Sequence, residues 1–228
     1  MRKIISFCLK FELILLVSVL YLSCSSPPSN YIILCAGDSL TEEGYPPFLE
    51  RTLKGEGIRV KILNYGKSGH TSGEYLRFLR EKKTEMAENQ PDFILLQLGT
   101  NDVRTDRDHT SAEDFYSNMK EIIRLFQTFR TRSGKTPHIL LASIPPVPEE
   151  TPFPFAPASA LRVVKEINPL IQKLAQEETL THVDNFSVFL ERSHLLPEVH
   201  PSDQGYEAMA KNWHTALKKE GIQSSAKT

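Results

Sequence analysis

Only three cysteines and one tryptophan occur in the 228 residues, and the charged side chains cancel to a formal net charge of -1. Each scarcity excludes something. Three cysteines cannot form a disulfide framework, since Cys8 and Cys24 fall in an N-terminal leader-like segment and Cys35 lies inside an apolar run. Cys35 is therefore read as a buried, unreactive thiol, because the sequence shows no neighbour that would stabilise its thiolate. A chain without net positive charge has no electrostatic footprint for a polyanion, so nucleic acid is not expected as a partner. No spacing of His, Cys and acidic residues suggests a metal site, and no cofactor is expected. With Trp213 alone of its kind, a tryptophan-lined carbohydrate groove is not expected, although tyrosine or phenylalanine can also form such a platform.

Long apolar runs are missing as well. The longest, Leu13 to Leu22, is shorter than the roughly 20 residues that a helix needs to cross a bilayer. It follows basic Arg2, Lys3 and Lys10 and ends at Ser23-Cys24-Ser-Ser-Pro-Pro, the layout of a signal peptide. The Ser-Cys ending is similar to a bacterial lipobox, which implies lipidation of Cys24 and a chain held to a membrane through that lipid. Tyr21 and Glu12 depart from the usual pattern, and plain secretion is the alternative. The expected organisation is a leader over 1–24, a short polar tether over 25–30, one catalytic domain over 31–222 and a tail over 223–228.

From residue 31 onward, short apolar runs alternate with amphipathic stretches. The runs are Tyr31 to Ala36, Ile58 to Leu63, Phe93 to Leu98, His138 to Ser143 and Thr181 to Val183. They are apolar throughout rather than alternating, which is expected when helices cover both faces of a parallel sheet. Helix-like patterns fall near Pro46 to Lys54, Ser72 to Glu88, Ser111 to Arg130, Ser159 to Glu177 and Ser202 to Lys219. The order predicts an α/β fold, a three-layer sandwich around a five-stranded parallel sheet. Ligands of such sheets bind beyond the carboxyl ends of the strands, so the residues just after each strand are the ones to inspect.

Those residues carry chemistry. Gly37-Asp38-Ser39-Leu40 follows the first strand, where a serine entering a helix can serve as nucleophile or simply cap the helix. Gly69 lies in the loop after the second strand and can bring a bare backbone N–H to a ligand, or merely adopt a loop conformation with positive φ. Asn101, in Gly99-Thr-Asn-Asp, can donate to an oxyanion or form an Asx turn. His200 is the only one of seven histidines that stands after the last strand and just before a helix start, which suits a general base. Ile144 to Pro157, dense in proline and phenylalanine, follows the fourth strand and offers either a stiff connection or an apolar wall for substrate.

In order and spacing these blocks resemble the SGNH (GDSL) hydrolases, over nearly the whole chain after residue 30. The resemblance implies a flavodoxin-like sheet and a serine esterase of the lysophospholipase, thioesterase or arylesterase kind, acting on a small ester or lipid. Ser39 is then nucleophile and first oxyanion donor, Gly69 and Asn101 complete the hole, and His200 is the base. The family's fourth block usually reads Asp-x-x-His, but Pro197 stands three residues before His200 and Glu198 two. The orienting acid is therefore open between Glu198, which is expected as the third member, a backbone carbonyl, and Asp184. Asp38 and Asp102 are expected to hydrogen-bond loop amides, and His70 to be a partly exposed pocket residue. Removal of acetyl groups from envelope sugars and lipid-anchored binding without catalysis are the competing functions.

Overall fold

The computed structural model describes residues 30–224. The leader-like segment 1–24 with Cys24, nearly all of the expected tether and the end of the tail lie outside the described residues. Among the described residues, no helix is long and apolar enough to cross a membrane.

Five parallel strands form one sheet in the order β2-β1-β3-β4-β5. They are β1 (Tyr31–Gly37), β2 (Val60–Gly66), β3 (Phe93–Gln97), β4 (His138–Ala142) and β5 (Thr181–Val183). The longer helices between and after them are α2 (Pro46–Gly55), α3 (Ser72–Glu88), α4 (Ala112–Gln127), α6 (Asn168–Glu177) and α8 (Asp203–Lys219), with short α1 (Ser39–Glu42), α5 (Pro157–Arg162) and α7 (Ser187–Leu190) at the carboxyl edge. The expected three-layer α/β sandwich of flavodoxin-like order is what the chain forms.

The apolar runs are continuous because successive strand residues point into two different cores. Leu34, Ala36, Ile94, Leu96 and Leu141 join one cluster with Phe115, Met119 and Ile122 of α4. Ile33, Cys35, Leu95, Leu140 and Val183 join the other with Leu49 and Leu53 of α2 and Met209 and Trp213 of α8. Each such leucine or isoleucine contributes about 1.5–3 kcal/mol on full burial. Cys35 is completely buried, and loss of solvation pushes its thiol up to about 12, in keeping with an inert side chain.

Two segments depart from the sequence expectation. The second strand begins at Val60 rather than Ile58 and runs on to Gly66. Gly57, at φ +74°, closes the end of α2, and the Ile58 N–H is used on the Leu53 carbonyl at 3.0 Å, so pairing with β1 starts later. The single helix expected over Ser159 to Glu177 is interrupted by a π-helical turn at Val163–Ile167. Pro169 lies in the first turn of α6, lacks an N–H and would strike the carbonyl four residues earlier in a regular helix. Widening the turn removes that conflict.

Candidate active site

The strand order reverses at β1, since the chain leaves it for β2 on one side and reaches β3 on the other. Gly37 is level with Gly66 on β2 and with Gln97 on β3. Residues shortly after those three positions emerge side by side, with strands about 4.8 Å apart. Ser39, Gly69 and Asn101 are such residues, so the register of the sheet gathers segments far apart in sequence at one point of its carboxyl edge.

Ser39 is the first residue of α1, 9% exposed, where its backbone N–H has no intrahelical acceptor. Asp38 caps the same helix, its Oδ1 accepting the Leu40 N–H at 3.0 Å. Complete burial raises the Asp38 carboxyl to about 7, against the opposing bonds that lower it. Gly69 is exposed at φ +77°, in a turn that the His70 N–H closes on the Lys67 carbonyl at 3.1 Å. Asn101 opens a short 3₁₀ turn, Asn101–Val103, and is 7% exposed. Its Nδ2 donates to the His70 carbonyl at 3.0 Å. An amide nitrogen has two hydrogens, so one orients the group and the second is left for a ligand.

Asp102 is buried behind this turn and takes three hydrogen bonds from one residue: the Ser72 N–H at 3.1 and 3.0 Å to its two oxygens, and Ser72 Oγ at 2.6 Å. Burial raises its pKa, and the Ser72 bonds oppose that. The carboxylate thus ties the Asn101 turn to the start of α3. Both rim aspartates have the structural role expected of them, although the amides they hold belong to the first turns of α1 and α3 rather than to loops. His70 is half-buried, its ring edge-on to Phe78 at 6.1 Å, and its part in orienting Asn101 belongs to its backbone carbonyl. No side-chain motif could have revealed that contribution.

His200 reaches the same point from the loop before α8, with Nε2 2.9 Å from Ser39 Oγ. In the tautomer protonated at Nδ1, the serine hydroxyl donates to Nε2, the arrangement of a nucleophile and its base. Among the described residues, no carboxylate makes a hydrogen bond or ion pair with His200; Glu198 is exposed and makes none with it. Asp184 is occupied elsewhere, accepting the Ser187 N–H at 3.0 Å and Ser187 Oγ at 2.7 Å at the start of α7. Among the described residues, no group of three or more potential metal ligands occurs.

The segment after β4 is fixed to the Asn101 turn. Thr105 donates its N–H (2.8 Å) and Oγ1 (2.9 Å) to the Pro154 carbonyl, Ser159 Oγ to the Val103 carbonyl (2.7 Å), and Arg162 to the Asp102 carbonyl (2.6 Å). Within it, Ile144 and Val147 are buried, while Phe153 is 77% exposed. Val199, next to His200, packs on the same apolar cluster as Ile144, Val147 and Phe155.

The sequence pattern of the GDSL-like lipase/acylhydrolase family matches residues 35–208, which include Ser39, Gly69, Asn101 and His200. The chain belongs to that family. Among individual proteins, this GDSL-family chain is 25% identical over 220 residues to the uncharacterized protein YpmR of Bacillus subtilis (strain 168), covering 85% of the chain and 84% of the relative. A lipase/acylhydrolase from Enterococcus faecalis superposes with TM-score 0.69 at 21% identity, covering 86% of this chain and 98% of that one. A carbohydrate acetylesterase family member from Sinorhizobium meliloti gives 0.68 at 21%, over 83% and 98%. The acetyl xylan esterase Axe2 from Geobacillus stearothermophilus gives 0.65 at 19%, over 86% and 96%. At these identities the solved structures speak to the fold alone.

Proposed function

We propose that this GDSL-family acylhydrolase cleaves carboxylic esters through an acyl-enzyme on Ser39. The observation that carries the reading is the 2.9 Å contact between Ser39 Oγ and His200 Nε2 at the sheet's switch point, beside Asn101. Ser39 Oγ attacks the ester carbonyl as its proton passes to Nε2. The N–H groups of Ser39 and Gly69 and the free Nδ2 hydrogen of Asn101 receive the developing oxyanion. Collapse expels the alcohol, which takes the proton from the imidazolium. Water, deprotonated by His200, then attacks the acyl-enzyme; collapse of the second oxyanion breaks the bond to Ser39 Oγ, which takes the proton back from the imidazolium as the carboxylic acid leaves.

With no carboxylate on the imidazole, the machinery reads as a Ser-His dyad rather than a triad through Glu198. Hydrolysis of a p-nitrophenyl ester series from acetate to decanoate, beside Ser39→Ala, tests the reading. Ser39-dependent turnover supports it. No turnover above the Ser39→Ala background on any ester would move a binding function on a hydrolase scaffold to first place.

Within ester hydrolysis, a short-acyl optimum would favour O-deacetylation of carbohydrate, in keeping with the open setting of Gly69 and His200 and with the fold shared with a carbohydrate acetylesterase family member and an acetyl xylan esterase. A long-acyl optimum would favour a lipid ester. Export and a lipid anchor on Cys24 belong to the same proposal. Incorporation of labelled palmitate that Cys24→Ser abolishes supports the anchor, and release of unlabelled protein supports plain secretion.

A further inference from the structure

Gly69 has little around it. A Cβ on it would meet nothing within 4 Å, and the residue is exposed. Packing therefore does not fix the amide that the oxyanion needs, although such donors must be placed to a fraction of an ångström. Something else must hold the loop from Gly66 to His70.

The hydrogen bonds of that loop lead to α1, the helix that begins with Ser39. Asn64 Nδ2 donates to the carbonyls of Thr41 (3.0 Å) and Glu42 (2.9 Å), and the Lys67 N–H to the Gly37 carbonyl (2.8 Å). Gly66 lies so close to α1 that a Cβ on it would come within 2.2 Å of the Glu42 nitrogen. The Glu42 carboxylate then spans two successive residues, Oε1 accepting from Lys67 Nζ at 2.9 Å and Oε2 from the Ser68 N–H at 2.7 Å. Ser68 Oγ adds a bond to Glu43 Oε1 at 2.7 Å, and Lys67 Nζ also lies 5.4 Å from the centre of the Phe78 ring. Both Glu42 bonds are charge-assisted. They hold the Glu42 carboxyl down at about 2, with Lys67 the larger cause.

We infer that Glu42 is a positioning residue for the oxyanion hole: by gripping Lys67 and Ser68 together, three residues after Ser39 and one before Gly69, it sets the Gly69 amide relative to the Ser39 amide. The inference rests on the reading of Ser39 as acylated nucleophile. Neither oxygen of Glu42 takes part in proton transfer, so its effect falls on the stabilisation of the tetrahedral species rather than on substrate binding.

The test uses the purified full chain with Glu42→Ala and Glu42→Gln, assayed on a p-nitrophenyl ester, titrated with a fluorophosphonate, and inhibited with an alkyl boronic acid that forms a tetrahedral adduct on serine. Glu42→Ala is expected to lower kcat by about 10- to 100-fold with KM within about threefold, and to weaken the boronic acid by the same factor as kcat/KM, at a full titre of reactive serine. Glu42→Gln keeps an oxygen for the Ser68 N–H and should fall between Glu42→Ala and wild type. Values for both variants within about twofold of wild type overturn the inference, as does a loss of activity that only follows a loss of titratable serine. A wild type without Ser39-dependent turnover overturns the esterase reading itself, and this inference with it.

Discussion

Ser39, Gly69 and Asn101 follow three adjacent strands, and what flanks them is hydrogen-bonded from behind: Asp38 to the Leu40 N–H, Asp102 to Ser72, the His70 carbonyl to Asn101 and Glu42 to Ser68. His200 stands instead on an exposed stretch between β5 and α8, where the Ser202 N–H bonds to the Leu195 carbonyl at 2.9 Å and Val199 rests on the apolar cluster. The first half depends on sheet register and buried charge, the second on a loop. An oxyanion hole works only if preorganised, because its donors must meet charge without rearranging. A base tolerates more freedom, since its proton transfer needs only one hydrogen bond of good length at the moment of reaction. The two halves should accordingly respond differently to substitution.

The largest effect belongs to the atom where the halves meet. Ser39→Ala should lower ester turnover by at least about 10³-fold, read as kcat on a p-nitrophenyl ester, with the fold unchanged by circular dichroism. Behind the donor half, Asp102→Ala leaves the buried Ser72 N–H without its acceptor, at a cost of about 1–3 kcal/mol, with about 2–4 °C of Tm for each kcal/mol. Calorimetry checks the stability, and kcat should fall along with it because Asn101 shares the same turn. A Tm equal to wild type would show that the donor half is less dependent on buried charge than its hydrogen bonds imply.

Asp38 sharpens the contrast through pH. Its folded pKa, about 7, lies above the carboxylate's ordinary value, so folding favours the protonated form. That contribution to stability is fully present below about pH 4 and is lost as pH rises through about 7. Asp38→Asn keeps the oxygen that caps α1 and carries no charge, so Tm should decline less between pH 5 and pH 8 than in wild type, by several degrees. Equal slopes for the two proteins would remove Asp38 from the pH response. Glu42 has the opposite sign: its depressed pKa gives stability above about pH 4.5 that is lost as pH falls towards 2, which leaves its latch charged across the neutral range.

The smallest effect is expected in the base half. Glu198→Gln should leave kcat within about threefold, whereas an acid that orients the histidine of a triad is worth about 10⁴. A fall of several orders of magnitude would return Glu198 to the machinery and make the two halves alike.

Much of the fold is legible in the sequence. The apolar runs placed four of the five strands closely, because a strand buried on both faces leaves an uninterrupted trace. The second strand slipped because its start is set by the Gly57 turn and its end by pairing with β1. The π-helical turn went unseen because a helical periodicity read through Pro169 carries no sign of a widened turn. Ser39, Gly69, Asn101 and His200 were legible as a set, each marking the end of a strand or the start of a helix. Glu198 is suggested by its spacing from His200, but distance along a loop does not fix where a side chain points, and among the described residues it makes no hydrogen bond or ion pair with the imidazole.

By itself the sequence determined the α/β class, the burial of Cys35 and the residue types of the candidate site, since these follow from burial patterns and from chemistry carried on short segments. Tertiary structure alone decided which carbonyl holds Asn101, what Asp102 grips and how Glu42 reaches Ser68. Those are contacts between segments tens of residues apart, and the register of three parallel strands, rather than any local preference of the chain, brings them within hydrogen-bonding distance.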